Sequence, residues 1–268
     1  MRLSRVRSAL LIAQSRCAAI VVLLMLCAFP THRLLAQSAT AARYRMTSTS
    51  VIALDRAAQA PLVDTVTSTS LVTIELSAGV DTVATLSIDS LQLVSTGMVR
   101  RAADAFSRGI SVSALLNAGR PLITGDSASA CTAERPLAGL LPELLPLLPT
   151  PLRAEQQWSD TLTVTTCRAG LPVTTVTIAS YRTLTGMDST TVLLERRATI
   201  RALGHAVLRE QTVSLDGTGT SESLSVVVVA TRRIQNWRST QSLAFQLTNG
   251  QQTRRMLQQL TDAATLLP

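Results

Sequence analysis

No lysine occurs anywhere in this 268-residue chain; all 25 basic residues are arginine. That removes Schiff-base catalysis and the phosphate-binding lysine of a P-loop. Histidine is limited to His32 and His205, too few for a histidine-based zinc site. Aromatic residues make up 3% of the chain, which leaves few platforms for stacking single-stranded nucleic acid or sugar. No Gly-x-Ser-x-Gly nucleophile elbow is present. Carboxylates are scattered singly. Asp81 and Asp89 can share a strand face, but that spacing is wide for a glycosidase pair, and solvated surface acids are the plainer reading. The expectation is a chain with no catalytic, cofactor-binding or metal-binding residues.

The net charge of +8 is largely an export signal. Arg2, Arg5, Arg7, Arg16 and Arg33 precede residue 37 with no acid among them, which leaves 20 arginines against 17 acids. So modest an excess gives no reason to expect a nucleic-acid partner. Arg2, Arg5 and Arg7 form a positive start, residues 18–29 an apolar run, and Leu34-Leu35-Ala36 a small-residue cleavage site before Gln37. This three-part pattern predicts a signal peptide over 1–36, cleaved near Ala36, and a periplasmic or extracellular protein. The apolar run falls short of the roughly 20 residues a bilayer needs, so no stable transmembrane span is expected. The alternative is an uncleaved anchor beginning near Ala9.

Cys17 and Cys27 leave with the leader, and neither sits in a lipobox. Cys131 and Cys167 remain. In an oxidising compartment such a pair reads as a disulfide, which in the chain-entropy model stabilises the fold by about 3–4 kcal/mol. A thiolate nucleophile would need a base, and His205 is the one mature histidine. His205 itself reads as a half-exposed structural residue.

The rest of the chain alternates. Met46, Ile52 and Leu54 share one face of 44–54; Leu62, Val66, Val72, Ile74 and Leu76 share one face of 62–76, with threonines opposite. This is the period of a sheet with one wet face. The phase flips between Ile88 and Leu91, which predicts a bulge. Residues 99–108 can form a helical turn or two, and 110–116 another strand. Strands resume over 158–167 and 171–185, then 190–203 and 205–215, split at Gly204. Asp216-Gly217 and Asn249-Gly250 are hairpin signals. The segment 223–234 reads as a central strand and 237–248 as a further one. For 251–267 a helical period competes with the return strand that Asn249-Gly250 demands, and the strand is favoured.

The predicted fold is mainly β: a long twisted antiparallel sheet, curling towards a half-barrel, with short helices from the middle. After the leader, 37–268 forms one β-rich domain. It has an N-terminal meander (44–115), a Gly/Pro/Leu-rich connector (116–157) and a C-terminal meander (158–267). Within the connector, 136–151 crowds leucine among prolines that forbid a long helix. Leu140, Leu141, Leu144, Leu145, Leu147 and Leu148 are expected to cover the apolar face of the sheet as a broken helix. They can serve as a permanent packing element, a lid over an apolar cavity, or a membrane-touching segment. Arg196-Arg197 and Arg232-Arg233 read as charged edge protection, as cross-strand partners of Glu195, Glu210 or Glu222, or as an anion-binding face.

The order Cys131, the Leu/Pro stretch, Pro149–Pro151, Trp158-Ser159-Asp160, Cys167 and Gly170 resembles uncharacterised exported β-sheet proteins of Gram-negative bacteria. In those a glycine usually precedes the tryptophan; here Glu155-Gln156-Gln157 stands there. The resemblance covers most of the mature chain and carries no assigned activity. At the level of fold, a curved sheet with an apolar lid is also similar to periplasmic lipoprotein carriers. The leading functional expectation is therefore a non-enzymatic envelope protein that binds an apolar ligand such as lipid. The alternatives are a structural or assembly protein meeting another envelope protein through sheet edges, and a hydrolase without a recognisable motif.

Overall fold

The computed structural model describes residues 40–56, 59–77, 82–96, 110–117, 120–122, 139–168, 171–184, 190–208, 211–250 and 252–268, all within the unit Ala39–Pro268. The leader, residues 99–108, Cys131, Asp81, and the turns expected at Ala78-Gly79 and Gly186-Met187-Asp188 lie outside the described residues.

Among the described residues, eleven strands form one antiparallel sheet: β1 (Thr40–Arg56), β2 (Gln59–Ser77), β3 (Val83–Ser95), β4 (Ser111–Asn117), β5 (Arg120–Leu122), β6 (Gln157–Arg168), β7 (Leu171–Leu184), β8 (Thr191–Leu208), β9 (Gln211–Val228), β10 (Arg233–Asn249) and β11 (Gln252–Leu266). Their order is β5-β4-β3-β2-β1-β11-β10-β9-β8-β7-β6, curled into a half-barrel. Each half is a meander of hairpins. The halves meet at a seam between β1 and β11, in register from Tyr44 opposite Leu266 to Leu54 opposite Met256. Helix is nearly absent: among the described residues only α1 (Leu141–Leu144) is α-helical. The single turn follows from composition, since Pro142 opens it and Pro146 stops it.

The predicted bulge is present. Leu71 faces Ser90 and Val72 faces Ile88, so Asp89 is the extra residue. Its carboxylate turns outward and accepts from Arg43 Nε at 3.1 Å and Thr73 Oγ1 at 2.8 Å. The segment 251–267 is strand β11, and Gly250 takes the left-handed conformation (φ 57°) that the preceding Asn-Gly signal anticipates.

Three expectations fail, and glycine explains two of them. Gly204 does not split a strand: β8 runs through it. A Cβ there would stand 2.8 Å from the Pro172 carbonyl oxygen, so glycine serves close strand approach rather than a turn. Asp216-Gly217 is not a hairpin but the middle of β9, where Gly217 lies so close beneath the Phe245 ring that a Cβ would collide with Cδ1. The segment 223–234 is not one strand either. β9 ends at Val228, and the chain turns through Val229–Arg232, with Arg232 at φ 56°.

Alternation puts apolar side chains on the concave face in two clusters. One gathers Tyr44, Val72, Ile74, Leu86, Leu194, Val227 and Trp237 with Leu141, Leu144, Leu148 and Leu152 of the connector. The other, at the opposite end of β7–β10, gathers Leu171, Val173, Ile200, Leu215, Leu243 and Phe245. The convex face carries threonine, arginine and glutamate, with large apolar residues such as Ile178, Val207 and Leu257 among the exposed ones.

Candidate functional site

Residues 139–156 form a strap over the first cluster. Leu141 and Leu144 are fully buried, Leu148 and Leu152 nearly so, and Leu140 and Leu145 pack partly against the same cluster. Leu147 is half-buried, and its carbonyl accepts from Trp158 Nε1 at 2.9 Å. Further anchors hold the strap's later half. Thr183 Oγ1 donates to the Arg153 carbonyl at 2.6 Å and accepts from the Gln156 N–H at 2.8 Å. The Arg232 guanidinium donates to the Leu148 and Pro149 carbonyls at 2.6 and 3.2 Å and to Thr150 Oγ1 at 2.8 Å. The tight turn thus aims Arg232 at the strap, and the anion-binding reading of Arg232-Arg233 loses that guanidinium to carbonyl oxygens.

Arg196 and Arg197 part company, as neighbours on a strand must. Arg197 faces out and pairs with Glu195 at 2.8 Å. Arg196 faces in and is buried. It pairs with Glu143 of α1 at 3.1 Å, donates to Ser221 Oγ at 2.9 Å, and sits 6.0 Å from the centre of the Tyr181 ring. Tyr181 in turn stacks on Trp158, with ring centres 5.2 Å apart and planes within 6°. The inward arginine therefore serves neither edge protection nor a surface anion site; it docks the strap.

Beside this ion pair, between the strap and the sheet, lies a cavity of about 360 Å³. Its walls are the inward residues of β6, β7, β9, β10 and β11. Leu140, Leu162, Val164 and Leu260 supply apolar surface; Thr175, Thr177, Ser221, Ser239 and Gln241 supply hydroxyls and an amide. Glu143 reaches it from α1 and Asp262 from β11. Burial pushes the Glu143 carboxyl above its ordinary range; Arg196 opposes that and Asp262 reinforces it. Burial also raises Asp262, against a stabilising hydrogen bond from Ser48. Among the described residues, two buried donors on these walls have no protein partner: Trp237 Nε1 and Thr175 Oγ1. Cys167 also borders the cavity.

Of the residues singled out in the sequence, the structure brings Leu140 and Cys167 to the cavity, and Leu141 and Leu144 to the packed side of the strap. It leaves His205 exposed on the convex face of β8. Glu143, Trp237 and Asp262 escaped the sequence reading. A signal existed for Asp262, which occupies the inward parity between Leu260 and Ala264. Among the described residues no group of three His, Cys, Asp or Glu side chains can hold a metal ion. No described helix is long and apolar enough to cross a membrane.

No family model and no curated protein matches this chain. Among solved structures it is similar to OpdK of Pseudomonas aeruginosa, solved with vanillate, at 6% identity and a TM-score of 0.26, over 85% of this chain and 99% of that one. OccAB4 of Acinetobacter baumannii aligns at 7% identity and a TM-score of 0.25, over 86% and 100%. An outer-membrane channel of Pseudomonas putida F1 aligns at 6% and 0.20, over 85% and 96%. Likeness this slight assigns no activity to the present chain.

Proposed function

We propose that this is an exported, non-enzymatic binding protein of the cell envelope, holding a small ligand with an apolar body in the cavity beneath the strap. The observation that carries the reading is that cavity: concave, leucine-lined, and furnished with a few convergent polar groups, as small-molecule sites are. At about 360 Å³ it lies at the lower end of such sites, which span roughly 300–1,000 Å³. A single-chain lipid or similar amphiphile suits it better than a diacyl lipid. The leader pattern over 1–36 supports export. The threonine, arginine and glutamate that stand between the exposed apolar residues of the convex face support contact with water, since a transmembrane barrel turns a continuous apolar band outward. His205 stands on the convex face, and no histidine lies among the described residues that line the cavity. The Cys131–Cys167 disulfide belongs to the same proposal; it is supported by the export pattern and by these being the two cysteines that remain after the leader.

Native mass spectrometry of the protein purified from the periplasm tests this reading. A co-purifying small amphiphile, lost on unfolding, is expected. A homogeneous apo mass, together with no uptake of a fluorescent single-chain lipid, counts against it. The second reading, assembly through sheet edges, rests on β6, a twelve-residue strand that stands last in the order of the described strands. Proline at Thr163, on that strand, would then abolish a protein complex while leaving ligand uptake unchanged.

A further inference from the structure

We propose that the cavity selects a small organic cation: an ammonium group on an apolar body, with a neutral oxygen as a second handle. This rests on the cavity being a binding site, as above, and adds the chemistry it recognises.

Charge balance points to the ammonium. Two carboxylates, Glu143 and Asp262, border the cavity, and they interact with each other. One arginine answers them, and Arg196 is committed to Glu143 at 3.1 Å. Asp262 is left with the Ser48 hydroxyl and, among the described residues, no cationic partner. A half-buried carboxylate so placed carries a desolvation cost that a positive charge would offset. Burial has pushed its carboxyl above the ordinary range, and an arriving ammonium would reverse that shift.

The orphan donors point to the oxygen. Trp237 is 2% exposed, and its Nε1 borders the cavity without an acceptor. An indole N–H can only donate, so a ligand that enters the cavity with an oxygen would supply the acceptor Trp237 lacks. The Thr175 hydroxyl is orphaned on the facing wall. Asp262 and Trp237 are close on the sheet, because Trp237 pairs with Ala264 and Ser239 with Asp262. One small molecule can therefore reach both while its carbon chain lies against Leu162, Val164 and Leu260.

Calorimetric titration of the purified full-length protein with n-hexylamine, n-hexanol and n-hexanoate tests the ammonium without any mutation. The amine should bind at least about tenfold more tightly than the alcohol, and the carboxylate should not bind. Asp262→Asn should reduce the amine to the level of the alcohol, with circular dichroism confirming the fold. The terminal amino alcohol aminohexanol should bind more tightly than hexylamine to the natural protein but not to Trp237→Phe, which keeps the ring and removes the N–H. Equal binding of all three hexyl probes, or undiminished amine binding by Asp262→Asn, would overturn cation selection while leaving the cavity a binding site. An amino alcohol that gains nothing would overturn the role of Trp237. Failure of every probe would remove both this inference and the binding reading.

Discussion

The two ends of the concave face are closed by different means. At one end the sheet packs on itself: Gly204, Gly217 and Gly219 let β7–β10 curl until Phe245 and Leu243 lie directly over bare backbone. At the other end the paired strands are covered by a leucine strap. Serines on β9 and β10 make room for it: Ser221, Ser223, Ser225 and Ser239 are all buried beneath or beside it. Missing side chains thus do opposite work. Glycine brings strands together, while serine leaves space for an inserted segment and, where the segment stops short, for a cavity.

The strap end gives the largest expected effect. Leu144→Ala empties a fully buried site and should cost about 2–5 kcal/mol in urea unfolding; a loss well below 2 would mean that the strap moves aside freely, as a lid does. At the self-packed end, Gly219→Ala drives a Cβ into the Ser242 carbonyl oxygen and to 2.6 Å from Leu243 Cδ2. Backbone cannot yield as a side-chain tip can, so a cost near 3 kcal/mol, the upper end for overpacking, is expected. This loss should leave ligand binding intact if the two ends are independent.

Arg196→Met sharpens the contrast by undocking the strap without emptying its core. It strands Glu143 beside Asp262, and because Glu143 keeps 24% of its side-chain surface, a loss of about 1–2 kcal/mol is expected rather than the full cost of a buried pair. The smallest effect is with pH. Burial raises both Glu143 and Asp262 above their ordinary values of 4.5 and 3.8. The folded state therefore binds protons more tightly than the unfolded chain, and stability should fall as pH rises through that window. Unfolding midpoints measured across it should decline, and Asp262→Asn should flatten the slope.

The sheet was legible because alternation records burial on a one-sided sheet. Residues 62–76 and 237–248 announce their inward faces, and even the extra residue at Asp89 leaves a phase flip. Strand limits in 190–234 were not legible. Glycine's two uses, turning a chain and admitting a neighbour, look alike until the neighbour is known, and Phe245 lies far along the chain from Gly217. The strap's leucines were visible as apolar mass. Glu143 among them was not read as a site, because its partners Arg196 and Asp262 are brought to it only by the crossing of the connector. Asp262 further depended on choosing strand over helix for 251–267, since inward parity has no meaning until that choice is made.

The seam between β1 and β11 has a consequence in time. Every other strand pairing in the sheet joins hairpin neighbours, which zip locally and quickly. Among the described residues the seam alone pairs strands as distant in sequence as those of Tyr44 and Leu266, so its closure is expected to carry the largest loop-entropy cost in the sheet and to be its slowest pairing. Until it forms, the molecule is two partial sheets, each ending in a long raw strand with its hydrogen-bonding groups open to any passing chain. Weakening the seam should therefore lower refolding yield more than an equally destabilising change within either half.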